Sequence, residues 1–547
     1  MELHDEDSHK IRTFNNAFFN LERYEQTLQN KSEAELKEIG GVGASIAKVI
    51  LEIVNTGAWN YAEDLLKNTP VGIQELLAMR GVGTTKIRTV WKEKGVESPL
   101  AFLELAKSGE LEKLKGFGKK TVENIIDSLE FYFENKSKFL ISDGQNYALE
   151  LLDKIKMKSP DIEIFISGEL YRKSEIIEKI SFITSAKAEE ISEFCNDLDI
   201  KLEEKLSGPQ ILRGKISGLY SVEFLLSEKD FVVFDRMVSS ISGYHFMQLK
   251  DAGLKCRKEY KSSSEENIYH SLGIQLIPEE TREFPDLNFW KMKESAKELI
   301  KVSDMKGMLH CHSTYSDGRH SLKEMAQACI DRGYEYLGIC DHSKSAFFYA
   351  NGLFEHRVLQ QQEEIDLLNK ELAPFKIFKG IESDILADGN LDYENEFLNN
   401  FDFVVASIHS GLTMDIEKAM SRLLTAIMNP HTTILGHLTG RILLARKGYP
   451  VDHKTIIDAC AEHKVGIEIN AHQSRLDIDW RWVAYAVEKG VMISINPDAH
   501  STDGLDMTEF GVIMARKAGL TSDKVLNTKS TNDIEKYFKN LKTDRGI

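Results

Sequence analysis

Histidines and carboxylates recur through the second half of this 547-residue chain at spacings that suit metal chelation. His310 and His312 stand in HCHSTYSDGRHS, which also holds Asp317; His342 follows Asp341 in CDHS. Glu382 lies in GIESDIL, His409 in SIHS, His437 in GHLTGR, and Asp498 with His500 in NPDAHS. Residues i and i+2 of a strand share a face, so His310 and His312 can chelate one ion. Leaving Asp341 aside, nine side chains of metal-ligand type remain.

A lone buried histidine is more often a satisfied core residue than a ligand. That reading fails for nine ionisable groups sharing one cavity, where each unsatisfied group costs about 1–3 kcal/mol. Divalent cations remove the cost by pairing with carboxylates and neutral imidazoles. Nine ligands suit two or three ions, and mixed imidazole and carboxylate ligation fits zinc, manganese or iron. One partition places His310, His312, Glu382 and Asp498 on one metal and Asp317, His342 and His500 on a second. His409 and His437 would hold a third, with Glu382 bridging. Closely spaced cations acidify a bridging water and stabilise charge on a phosphoryl group. The expected catalytic set is Glu382, Asp498, His500 and Arg441, with Arg441 holding the substrate phosphate; Arg475 in HQSRLD is a weaker candidate for that contact.

The elements that must position these residues are seven strand-like runs: GMLHCHS, EYLGICDHS, FKIFKGIESDI, FVVASIHS, TTILGHLTG, VGIEINA and VMISINPDAHS. Amphipathic stretches such as SLKEMAQACIDRG and DHKTIIDACAEHK separate most of them, the pattern of a parallel α/β barrel. In a barrel all strand carboxyl ends open on one face, which is where substrates bind. Upstream, IEIFISG, KISFITSA and SVEFLLSE read as short strands, and LIPEETREF closes that region.

The first 125 residues repeat a different unit. LKEIGGVGASIAKVI, LLAMRGVGTTKIRTVW and LEKLKGFGKKTVENI each place Gly-apolar-Gly between two helices, at Gly41/Gly43, Gly81/Gly83 and Gly116/Gly118. Glycine there permits a tight turn and lets a phosphate approach backbone N–H groups at a helix start. This helix-hairpin-helix chemistry grips the DNA backbone without reading sequence, and Lys119 and Lys120 follow the third turn. A single copy would read as a plain helical hairpin; three copies favour DNA.

A net charge of −17 excludes a protein that coats nucleic acid nonspecifically. Locally the balance reverses: between Arg80 and Ile125 there are ten Lys/Arg against six Asp/Glu. The acidic start MELHDEDSHK has no apolar run behind it, which argues against a secretory signal, and no long uncharged apolar stretch suits a membrane span. The six cysteines lack CxxC spacing and read as reduced thiols of a cytoplasmic protein.

The quoted motifs of the second half closely resemble the PHP (polymerase and histidinol phosphatase) family, and all nine ligand positions match that family's trinuclear site. The order of parts resembles bacterial family X DNA polymerase over nearly the whole chain. The resemblance implies a multidomain fold. A helix-hairpin-helix DNA-binding region would occupy residues 1–138, an α+β nucleotidyltransferase-like palm 139–287, a charged linker helix 288–304 and a distorted (βα)7 PHP barrel 305–547. It implies a DNA-repair protein with gap-filling polymerase activity and 3′–5′ exonuclease or abasic-site nuclease activity.

Two departures qualify this. The family's palm carries Gly-Ser followed by an Asp-x-Asp strand. Here GELYRKSEIIEKISFI keeps Gly168 and Arg172, but the Asp-x-Asp positions fall on Lys179 and Ser181, and the third carboxylate position on Glu223. Two-metal nucleotidyl transfer needs clustered carboxylates, so the palm is expected to be inactive and to serve as a binding platform. Where lyase-active relatives carry a Schiff-base lysine this chain has Val49, with Lys48 about 100° away around the helix. The competing readings are a phosphatase of a small metabolite, a noncatalytic DNA-binding scaffold, and an active polymerase.

Overall fold

The computed structural model describes residues 1–547 except 23, 25–26, 80, 289 and 292–297, and the side chains of 19 and 22 are likewise not described. The chain divides into two compact units, residues 1–136 with 444–447, and residues 137–443 with 448–547.

The first unit is helical, and the three glycine pairs do the same work in each repeat. Gly41, Gly81 and Gly116 adopt positive φ of 78°, 96° and 88°, a region that glycine enters without steric cost. Gly43, Gly83 and Gly118 then cap the helices Ala44–Thr56, Thr84–Lys94 and Lys119–Asn135. The residue between each pair, Val42, Val82 or Phe117, is buried and anchors the turn in the core. The glycines of each pair, and Lys119 and Lys120, stay on the surface. Lys48 is exposed and Val49 half-buried, as the one-residue offset around the helix requires.

The second unit contains two large sheets and a two-stranded ribbon in which Phe139–Leu140 pairs antiparallel with Ile176–Ile177. The first has five strands: β1 (Ile164–Ser167), β2 (Lys179–Thr184), β3 (Ile200–Leu202), β4 (Ile211–Ile216) and β5 (Tyr220–Leu226), in the order β1-β2-β5-β4-β3. Only the β2–β5 pair is parallel. The helices Ile141–Lys158 and Ala188–Asp197 contribute Leu151, Ile155, Ile191 and Phe194 to the core with Phe182 and Phe224 from the sheet. Strands β3 and β4 went unread in the sequence.

The barrel strands are β6 (Gly307–Cys311), β7 (Tyr336–Ile339), β8 (Lys376–Asp384), β9 (Phe403–Ser407), β10 (Ile434–Leu435), β11 (Gly466–Asn470) and β12 (Ile493–Asn496). All seven expected strands are present, each paired in parallel with its sequence neighbours. The ends of the sheet are joined at the carboxyl rim, where Cys311 bridges Ala499 and the His312 N–H donates to the Ala499 carbonyl at 2.8 Å. The interior is packed by Leu309, Phe378, Phe403 and Val405, with Phe538 of the last helix, Thr531–Arg545, so it is a core and not a pore.

Both sheets belong to the second unit, and the segment IPEETREF joins them by alternating side chains. Arg282 turns inward to Glu265 at 2.7 Å. Glu283 reaches Lys517 at 3.2 Å and Arg481 at 3.6 Å, and Glu280 pairs with Arg516. Of the linker helix expected over 288–304, residues 289 and 292–297 lie outside the described residues. Among those described, Trp290 packs with Tyr269 and Ile274, Lys291 forms a bridge to Ile274, and Val302–Asp304 make a single 3-10 turn. All six cysteines are free, and only Cys256 is exposed. Among the described residues no helix is long and apolar enough to cross a membrane.

Candidate metal centre

Six of the seven barrel strands deliver a polar residue at or near the carboxyl end, and the nine expected ligands gather into one cluster. Glu382 is its centre. Its Oε1 lies 3.0 Å from His437 Nε2, 3.2 Å from His409 Nε2 and 3.4 Å from His310 Nε2. Its Oε2 lies 2.9 Å from His342 Nδ1 and 3.7 Å from His312 Nε2. Asp498, held at a left-handed φ of 52°, faces His312 Nε2 at 3.1 Å and His310 Nε2 at 3.6 Å. Asp317 faces His500 at 3.4 Å and His342 at 3.6 Å.

The atoms fall into three sets: His312, Asp317, His342 and His500; His310, His312 and Asp498; and His342, Glu382 and His409. The expected partition is therefore redrawn. His312 and His342 each stand in two sets, and Glu382 groups with His342 and His409 while also facing both histidines of the HxH pair. His437 completes the ring around Glu382.

The chemistry of this donor set fits divalent cations. His310 Nε2, His312 Nδ1, His342 Nδ1, Glu382 Oε2 and His437 Nδ1 are buried without a well-aligned hydrogen bond, and a buried polar atom left so costs about 1–3 kcal/mol. Charge tells the same story. Burial disfavours charge on His409, yet Glu382 and Asp384 outweigh it and lift the imidazole to about 10. His500 is lifted to about 9 against burial by Asp317 and Asp498. His312 goes the other way: burial and the His500 and His342 rings push it down to about 3, leaving a neutral donor nitrogen. Burial opposes ionisation of Glu382, but His409, His310 and His342 hold it well below the usual carboxylate range. The cluster as a whole selects positive charge at its centre.

Two positioning residues, Glu468 and Asp384, are not picked out in the sequence, and Asp341, set aside there as a ligand, is a third. Glu468, on the one strand to which no ligand had been assigned, accepts from His310 Nδ1 at 2.7 Å and from the His437 backbone N–H at 2.8 Å. Asp384 meets His409 Nδ1 at 2.6 Å. Asp341 accepts from the Ser313 N–H at 2.8 Å and the Ser316 N–H at 3.2 Å, fixing the loop that carries Asp317. The signal for Glu468 was legible: a glutamate inside the buried apolar run VGIEINA needs a partner. A carboxylate holding the far nitrogen of a ligating imidazole sets its tautomer and basicity, and its loss lowers metal affinity about 10–100-fold. Glu468→Gln is expected to show that loss in competition titration against a chromogenic chelator; wild-type affinity would mean that the ring is oriented without the carboxylate.

Arg441 is placed otherwise than expected. Its Nε donates to the Arg475 carbonyl at 2.9 Å, one terminal nitrogen meets Asp479 at 2.9 Å and the other donates to the Leu476 carbonyl. With three of its five donors on protein acceptors, the guanidinium braces the 472–479 loop. Arg475, with Nε 3.6 Å from Asp498 Oδ2, is the arginine at the cluster.

In the middle sheet, the parallel register sets Ser181 opposite Glu223 and Lys179 opposite Ser221. The Ser181 hydroxyl donates to Glu223 Oε1 at 2.9 Å, Lys179 Nζ lies 2.9 Å from the same oxygen, and Arg213 Nε is 3.4 Å from Oε2. The buried Glu223 is thus already neutralised by two cationic side chains. Gly168 at φ 64° packs so closely that a Cβ would lie 2.9 Å from Ser181, and Arg172 is turned toward Glu283 at 3.4 Å.

Known proteins bear directly on this arrangement. The chain matches the helix-hairpin-helix domain over residues 1–59, the SAM-like helix-hairpin-helix tandem over 73–130 and the PHP domain over 308–472. Hairpins, middle sheet and barrel therefore define a PHP-domain protein with a helix-hairpin-helix head. The DNA polymerase/3′-5′ exonuclease PolX of Bacillus subtilis (strain 168) is 33% identical over 98% of this chain and 97% of its own length. The chain belongs to the bacterial family X DNA polymerases that carry a C-terminal PHP domain. A probable phosphatase of Thermoanaerobacter sp. (strain X514) is 28% identical over 43% of this chain and 96% of its own. A crystal structure of Leishmania infantum polymerase beta covers 39% of this chain and 98% of its own at 16% identity and a TM-score of 0.24.

Proposed function

We propose that this protein is a DNA-processing phosphodiesterase of the repair type, a 3′–5′ exonuclease or abasic-site nuclease, with an inactive polymerase centre. The observation that carries the reading is Glu382, a buried carboxylate faced by five imidazoles. The nine clustered side chains would hold two or three divalent cations. When bound, these would supply Lewis acidity toward the phosphoryl group and a source of ionised water near neutral pH. The chain's own contribution is positional. Glu468 and Asp384 hold imidazoles in one tautomer. The Arg475 guanidinium at the rim would meet a non-bridging phosphate oxygen, while His500, the most exposed of the nine, marks the side of the cluster open to an entering substrate. The hairpin glycines and Lys119 and Lys120 would hold the sugar-phosphate backbone of DNA without reading sequence.

The middle sheet supports loss of polymerisation. Lys179 puts a fixed cation where a magnesium ligand is needed, and the remaining carboxylate is bound to Lys179, Arg213 and Ser181. The second reading, a phosphatase of a small metabolite, is favoured by the probable phosphatases that match the barrel. One assay series separates them. The protein supplied with manganese is tested on labelled single-stranded DNA, an abasic-site duplex and a phosphorylated metabolite, and on a primed template with nucleotides and magnesium. Cleavage of DNA without primer extension is the expected result. Turnover of the metabolite alone would establish the phosphatase, and robust extension would overturn the loss of the polymerase centre.

A further inference from the structure

The segment that follows His342, SKSAFFYANGLF, puts four aromatic rings at the surface. Phe348 is 96% exposed, Tyr349 55%, Phe347 41% and Phe354 40%. A cluster of exposed rings marks a binding surface and not a folding element. Yet the segment is tied to the ligand cluster at several points. The Tyr349 hydroxyl donates to Asp384 Oδ2 at 3.2 Å, the carboxylate whose other oxygen meets His409. Asn351 donates to the carbonyls of Tyr315 and Ser316, both at 3.1 Å, immediately before Asp317. The Leu353 N–H donates to the His342 carbonyl at 2.8 Å. Gly352 lies so close to Ser343 that a Cβ would fall 2.0 Å from its carbonyl oxygen. Phe347 packs edge-on against Phe348 at 5.5 Å and tilted against Phe354 at 5.2 Å. The rings form a fixed surface whose supports are the metal-ligand loops themselves.

We propose that Phe347 and Phe348 stack unpaired bases of the polynucleotide strand whose phosphodiester is presented to the cluster. This rests on the phosphodiesterase reading above and adds the residues that would meet the bases of the strand. The segment that carries these rings is hydrogen-bonded to the loops of the ligand cluster, and the part of a phosphodiester substrate with a flat apolar face is the nucleobase. In a duplex those faces are covered by neighbouring pairs, so the surface selects single-stranded or frayed ends. Base–aromatic stacking is tolerant of sequence, consistent with a backbone grip that reads none.

The test compares oligothymidylate with a strand of equal length built entirely of tetrahydrofuran abasic nucleotides, both in manganese. The variants are Phe348→Ala and the pair Phe347→Leu with Phe348→Leu, which stay apolar but lose the rings at exposed positions. Wild type is expected to show a KM at least about tenfold lower for the base-bearing strand. In the paired variant the two KM values should converge within about twofold at unchanged kcat. Retention of the wild-type preference, or an equal fall in kcat on both strands, overturns the proposal. Stacking is also read without turnover, as quenching of 2-aminopurine in a single-stranded oligonucleotide by wild type and not by the variant. Quenching without cleavage would refute the hydrolase reading alone; no quenching by wild type refutes the stacking surface. A wild-type dimer that dissociates in the paired variant would assign the rings to a second copy of the chain and likewise overturn it.

Discussion

Replacing His310 and His312 together by alanine is expected to reduce phosphodiester hydrolysis on the order of a thousandfold or more, because both metal binding and its Lewis acidity are lost. His312 stands in two of the three ligand sets, and His310 faces both Glu382 and Asp498. The double change therefore touches every carboxylate of the cluster: Glu382 and Asp498 lose two facing nitrogens each, and Asp317 loses one. Bound transition metal, measured by elemental analysis of the purified protein, should fall with activity. The one strand that carries the pair is packed into the barrel core by its apolar neighbours Met308 and Leu309, so the far-ultraviolet circular dichroism should be retained. Full cleavage by a folded double variant would place the nuclease activity outside this cluster.

The largest effect on stability is expected at Arg282. It is 1% exposed, pairs with Glu265 at 2.7 Å and donates from Nε to the Ile277 carbonyl at 2.8 Å. Its guanidinium also lies 5.6 Å from the Tyr171 ring centroid and 5.3 Å from that of Tyr269. Arg282→Ala removes one partner of a buried ion pair, leaves a carbonyl unpaired and opens a cavity between two aromatic rings. Breaking such a pair costs about 3–5 kcal/mol. Hydrogen exchange in the helix Glu265–Ser271 should accelerate by the corresponding factor of a hundred or more, while the barrel strands keep their protection. Lysine should rescue poorly, since an ammonium has neither the fork nor the planar face that the site uses. Unchanged exchange in that helix would show that the pair contributes nothing net.

Much of the cluster is legible in the order of residues alone. A strand ends where its apolar run ends, and in a parallel barrel all those ends share one face, so nine positions follow from spacing and residue type. The hairpins are legible for a similar reason: Gly-apolar-Gly encodes a left-handed turn, a buried anchor and a helix cap in three successive residues. Legibility stops at Arg441 and Glu468. Nearness in sequence to His437 points Arg441 at the substrate, but the guanidinium finds closer acceptors in the 472–479 loop. Glu468 is easily passed over because it ends no strand, although its burial in an apolar run demands a partner.

Residue type and order by themselves determined that parallel barrel strands would present imidazoles and acids at one rim and that glycine turns would head the chain. Tertiary structure alone decided which nitrogen faces which oxygen, which is why His312 and His342 each stand in two ligand sets and Glu382 sits at the centre. The reason is geometric. Spacing along a strand sets which face a side chain takes, whereas distances across a barrel depend on strand stagger and closure, which no single strand encodes.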